Sequence, residues 1–157
     1  MTSLPSPRRL GAVTGGTLLA IALLSGCATT VSMQAAPDAG SPACADVIVR
    51  LPDSVGGQTR HWTDAQGTAA WDSVLLTCGV EVPGPTTLVC QSVDGVDWIQ
   101  DASEAPNYRF TTYGRDPAVE VYLDYEVVSA RAVLGSLSGA VGTLPQTGDR
   151  CTVRPSD

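Results

Sequence analysis

The chain contains no lysine; all nine of its basic residues are arginine. Schiff-base catalysis, Ser-Lys dyads and lysine-bearing phosphate loops are therefore excluded. There is one histidine, His61, and no Gly-x-Ser-x-Gly turn, which leaves little from which to build a nucleophile with an imidazole base. Neither Gly-x-x-x-x-Gly-Lys nor Gly-x-Gly-x-x-Gly occurs, so the familiar phosphate cradles are missing. Positive charge is scarce: nine arginines stand against 16 acidic residues, for a net charge of −7 and a pI near 4.4. A generic nucleic-acid binder needs a basic face against phosphate, and this composition speaks against one. Aromatics make up 5% of the chain, with a single Phe. The 157 residues suit one domain and are too few for an α/β barrel of about 250.

What is present begins with an address. Arg8 and Arg9 precede an uncharged, mostly apolar stretch of 14 residues, Gly11 to Leu24. A spanning helix needs roughly 20 apolar residues, so the stretch fits the core of a signal peptide better than a membrane anchor. It ends at Leu24-Ser25-Gly26-Cys27, which resembles the lipobox of bacterial lipoproteins at all four positions. That resemblance implies cleavage before Cys27, a thioether-linked diacylglycerol on its sulfur and a further acyl chain on its amine. Two or more acyl chains hold a protein on a membrane stably. The expected organisation is a signal peptide over 1–26, a lipidated Cys and flexible tether over 27–43, and one domain over 44–157. Residues 28–42 are small, polar or Pro/Gly, without a periodic apolar face, which is why they read as a tether. After cleavage seven arginines face 16 acidic residues, a balance of −9, so anionic lipid would repel the domain and the anchor would supply its membrane affinity.

Five cysteines is an odd number. With Cys27 assigned to lipid, Cys44, Cys78, Cys90 and Cys151 remain for the fold, in an exported context that permits disulfides. Their spacing contains no short Cys pair, which argues against zinc. Four cysteines allow three connectivities. Cys78 and Cys90 lie symmetrically about Gly84 in Pro83-Gly84-Pro85, so a hairpin there would place them opposite each other. The expectation is Cys78–Cys90 with Cys44–Cys151.

Periodicity predicts two helices and a set of strands. Ser41-Pro42 starts a short helix whose face is Cys44, Val47, Ile48 and Leu51, ended by Pro52. A second helix runs from about Ser129 to Val141, with Ala130, Val133, Leu134, Leu137 and Val141 on its apolar face; Gly135 and Gly139 suit close packing on a sheet. Strands are expected at Gln58–Thr63, Trp71–Val80, Thr87–Val93, Val96–Gln100, Tyr108–Tyr113 and Ala118–Glu126, with Asp94-Gly95 as a hairpin turn. The fold class is α+β: an antiparallel sheet of about five strands with two helices packed on one face and two disulfides.

Several segments together resemble the domain of unknown function 3515 family, small exported or lipid-anchored proteins of actinobacteria. They are Ala70-Trp71 with Leu76-Thr77-Cys78-Gly79-Val80, Cys90 with Val93-Asp94-Gly95-Val96-Asp97-Trp98, and Phe110 to Val121 around Gly114-Arg115-Asp116-Pro117. The resemblance covers roughly residues 44–151. Members typically carry Gly-Asp-Pro after the first Trp, where this chain has Asp72-Ser73-Val74. It implies location and architecture and brings no catalytic residue.

Candidate chemistry is thin. Asp94, Asp97 and Asp101 fail the spacing of a calcium loop. Glu120, Tyr122, Asp124 and Glu126 alternate on one strand face, which reads as a solvated face or, in a carboxylate-dependent hydrolase, as acid and base. Trp62, Tyr108, Arg109, Tyr113 and Arg115 are the candidate partner-binding residues, since Trp, Tyr and Arg are enriched at interface hot spots. Arg115 has a local alternative, pairing with Asp116 or Glu120. No cofactor, metal or nucleic acid is expected. The expected function is non-enzymatic: an exported protein, lipid-anchored through Cys27 on the outer face of the cell membrane, that binds or supports another envelope component. A small-ligand or metal carrier, or a carboxylate-dependent envelope hydrolase, is the alternative.

Overall fold

The first helix, α1 (Pro42–Arg50), begins where Ser41 Oγ accepts the N–H of Cys44 at 3.2 Å and Pro42 fills a position that needs no donor. Its open C-terminal carbonyls are met from outside: Arg60 donates to Ile48 O and Leu51 O at 3.4 and 3.2 Å. The second helix, α2 (Ala130–Val141), is capped by Ser129, whose Oγ accepts from Ala132 N at 3.4 Å. The computed structural model describes residues 30–152; the expected signal peptide over 1–26, Cys27 and the last five residues lie outside the described residues.

Nine strands form the sheet: β1 (Thr30–Val31), β2 (Ser54–Val55), β3 (Gln58–Thr63), β4 (Thr68–Trp71), β5 (Val74–Val80), β6 (Val89–Val93), β7 (Val96–Asp101), β8 (Asn107–Tyr113) and β9 (Ala118–Asp124). Their order is β1-β3-β4-β5-β9-β8-β7-β6, with β2 paired beside β3. Every pairing is antiparallel except β1 with β3. Alternation sends Trp71, Leu76, Trp98, Phe110, Val121 and Leu123 to the face that carries both helices. There they close a core with Cys44 and Val47 of α1 and Val133, Leu134 and Leu137 of α2.

Both helices, their caps and most strand positions agree with the periodicity. The sheet is larger than the expected five strands, for identifiable reasons. Asp72 and Ser73 form a two-residue turn with Trp71 paired to Val74, so the run Trp71–Val80 is two strands. β1 and β2 are two residues each, too short to show alternation.

The disulfide expectation is overturned. The bridges are Cys44–Cys78 and Cys90–Cys151, with Cα–Cα distances of 5.6 and 5.5 Å. The expected Cys78–Cys90 pairing required β5 and β6 to be hairpin neighbours. Both edges of β5 are already taken, by β4 and β9, and β6 lies at the far edge beside β7. Pro83-Gly84-Pro85 therefore belongs to a crossover; Pro83, Thr86 and Leu88 line a pocket with Ile99, Thr111 and Glu120 on the open face. The first bridge staples α1 to the sheet centre. The second staples the C-terminal segment to the edge, and Cys151 N donates to Asp97 Oδ2 at 2.8 Å.

The flexible tether over 27–43 is corrected as well, for its described part. Thr30 pairs with Trp62 and Val31 with Thr63. Ser32 Oγ and Met33 N both donate to Asp64 at 2.8 Å. Asp38 N donates to Gly79 O at 3.1 Å, and Ala39 is buried. Gly79 has φ +92°, and a Cβ there would collide with the Asp38 backbone, so glycine is what lets this segment lie against β5. The segment lacks an apolar period because backbone and Asp64 hold it in place.

Candidate functional site

β3 carries Arg60 and Trp62 on its helix-bearing face and His61 on the other. Arg60 reaches under α1, and its guanidinium lies 6.0 Å from the Trp71 ring centroid. Trp62 has no such cover and is 75% exposed. Across from it, Val49 falls outside the buried stripe of α1 and is 78% exposed. Between them lies a groove of about 720 Å³ whose walls are Ala45, Ile48 and Val49 of α1 and Arg60, Trp62 and Ala69 of the β3–β4 hairpin, with Gln66 and Gly67 at its turn. It is mainly apolar with a few polar groups, the common character of a binding cleft.

His61 Nε2 lies 2.6 Å from Asp72 Oδ1, and Asp72 Oδ2 accepts Thr59 N at 3.3 Å. The bond from His61 and then that from Thr59 hold the Asp72 carboxyl below the usual carboxylate range. Both side chains are solvent-accessible. Among the described residues no hydroxyl or thiol is hydrogen-bonded to the imidazole, so the pair has an orienting acid and a base but no nucleophile.

The five residues singled out for partner binding do not share a surface. Trp62 stands on the groove. Tyr108 packs on Tyr125, ring centroids 4.5 Å apart, and against the core. Tyr113 is half-buried at the end of β8, opposite Asp97. Arg109 lies on the opposite sheet face. It donates to Glu104 at 3.0 and 3.2 Å and to Glu120 at 3.0 Å, and it covers the Tyr122 ring at 4.7 Å. Burial works against its charge, but the two carboxylates outweigh it and raise the guanidinium pKa. Burial, and next the Glu104 charge, raise the Tyr122 hydroxyl. Arg115 is buried and donates to Gly142 O and Leu144 O at 3.0 and 2.6 Å, where the chain leaves α2. Its partners are carbonyls distant in sequence, so the expected local pairing with Asp116 or Glu120 is replaced by a long-range contact to the end of α2.

The open-face trough around Arg109 holds about 580 Å³ beneath residues 34–37. Its charges are already matched within the chain, so an ionic ligand would first have to break Arg109–Glu120. The acidic strand does not converge either. Glu120 is engaged by Arg109, Asp124 Oδ1 accepts Glu126 N at 2.9 Å, and Glu126 lies beyond the strand. Cα atoms four residues apart on a strand stand about 13 Å from each other, wider than the spacing of paired glycosidase carboxylates. Among the described residues no three His, Cys, Asp or Glu side chains are grouped to hold a metal.

Val49 is the groove residue that sequence reasoning missed. Its only signal was an apolar residue outside the helix stripe, followed by Arg50. Gly135 packs as expected, a Cβ there meeting Asp94 Oδ2 at 3.0 Å, whereas Gly139 has open space around it.

The family model described as "Protein of unknown function (DUF3515)" matches residues 11–148, and the chain belongs to that family. No curated protein and no solved structure matches the chain.

Proposed function

We propose that this member of the domain of unknown function 3515 family is an exported, lipid-anchored protein of the outer face of the cell membrane. It acts by binding rather than by catalysis, and the groove between α1 and the β3–β4 hairpin is its binding site for another envelope component. The observation that carries the binding reading is the groove itself: about 720 Å³, mainly apolar, with exposed Val49 and Trp62 on its two walls. Soluble surfaces rarely leave large apolar side chains paired in this way unless something covers them. Two observations support the address. Leu24-Ser25-Gly26-Cys27 lies within the span that the family match covers. The four cysteines of the domain are joined in two bridges, which persist where the surroundings are oxidising.

A photo-activated cross-linker at Val49 in intact cells tests the groove. The expected result is a discrete adduct that is absent when the same group is placed at Val89, which is exposed on β6 at the far edge of the sheet from β3. Equal labelling at both positions would contradict a binding site at the groove.

A further inference from the structure

The chain enters the fold beside Trp62. Thr30, the first described residue, pairs with Trp62 in the parallel register of β1 and β3. Only Ala28 and Thr29 separate Thr30 from Cys27. Those three Cα–Cα steps span at most about 11 Å even when fully extended. Neighbouring strands add about 5 Å more to reach the Trp62 backbone. Acyl chains on Cys27 enter hydrocarbon directly, which sets Cys27 at the membrane interface. Whatever lies within that reach of Thr30 is therefore held against the headgroups.

What lies there is Trp62, one side of the apolar lip of the groove, with Val49 on the facing wall. Val49 and Trp62, at 78% and 75%, are the most exposed large apolar side chains among the described residues. Tryptophan favours the boundary between headgroup and acyl chain, where its ring is half in hydrocarbon and its N–H is wet. The remaining exposed apolar side chains stand farther from the chain entry. Tyr125 and Val127 follow β9, three inter-strand steps from β3 and roughly 14 Å away along a flat sheet, and Leu88 and Val89 precede or begin β6, six steps and roughly 29 Å away. Arg60 and Asp53 both line the groove, and Arg50, exposed beside Val49, has the exposed carboxylate of Asp46 one helical turn before it, so the lip has no cationic excess. Its affinity is apolar.

The geometry points to membrane lipid as the partner of this lip: with Cys27 acylated, Val49 and Trp62 dock into the headgroup–acyl boundary of the outer leaflet, and the groove opens onto the membrane. The proposal rests on the lipid-anchor reading above and names the partner of the same groove. The short leash and the lip act together, since a high effective concentration makes a weak apolar contact persistent. Docking fixes which way the domain faces: the β6 edge points away from the bilayer.

Tryptophan fluorescence tests this on the full acylated protein, because Trp71 and Trp98 are buried and Trp62 alone is exposed among the three. The protein is placed in phosphatidylcholine vesicles that contain either plain lipid or lipid brominated near the glycerol end of its acyl chains. Bromolipid should quench the exposed indole, and acrylamide in the water should lose access to it, with the core indoles unchanged. Val49→Asp, on a side chain outside the core, should leave the protein on the vesicles while Trp62 regains acrylamide access. If intact mass shows lipid on Cys27 but Trp62 stays unquenched and open to acrylamide, docking is wrong and the anchor stands. If Cys27 carries no lipid, the anchor reading fails and docking fails with it. A Val49 cross-link that recovers protein in preference to lipid would also overturn the proposal.

Discussion

Arg115 directs its guanidinium at two backbone carbonyls, Gly142 and Leu144, from a buried site. Those carbonyls end α2, and removing the donor leaves polar groups without partners. Arg115→Ala is expected to lower stability by about 2–4 kcal/mol in urea unfolding, with Arg115→Lys intermediate because an ammonium cannot reproduce the fork. Equal midpoints for wild type and the alanine variant would contradict that role. At this scale the chain was legible in kind and not in partner. The turn Gly114-Arg115-Asp116-Pro117 made Arg115 a candidate, but its partners lie 27 and 29 residues away. The same limit hid the bridges: that Cys44, Cys78, Cys90 and Cys151 form two disulfides among themselves could be read, whereas Cys44–Cys78 depends on α1 crossing the centre of the sheet.

The element that most changes the account is the segment from Thr30 to Ser41. Asp64 holds its start through the Met33 N–H and the Ser32 hydroxyl. The Met33 bond first, then the Ser32 bond, lowers the Asp64 pKa from its ordinary 3.8. A carboxylate whose folded pKa is depressed adds stability above its unfolded value and loses it as pH falls through the folded one. The clamp is thus intact at neutral pH and weakens only below 3.8. Asp64→Asn should make the amides of residues 30–33 exchange faster at neutral pH while α2 stays protected; unchanged exchange would show that the strand pairing suffices alone. Caps and stripes made both helices readable, since Ser41-Pro42 and Ser129 are local signals. A segment held by backbone bonds and one carboxylate has no such period, and so it looked like a linker.

For the molecule as a whole, the α+β class with both helices on one face followed from alternation, but strand order did not. Every antiparallel strand alternates alike, so periodicity cannot say which strand is whose neighbour. Only the occupancy of both edges of β5 excluded the hairpin about Gly84. That order puts the chain's entry at one end of the sheet, beside Trp62, and the β6 edge at the other. The proposed orientation on a membrane then rests on two premises, a lipid on Cys27 and a leash of two residues after it. The first is the central claim, and the mass of the N-terminal peptide of the protein isolated from membranes tests it directly. The account predicts a peptide that begins at Cys27 and carries a diacylglycerol. An unmodified Cys27 still joined to Gly26 would contradict it.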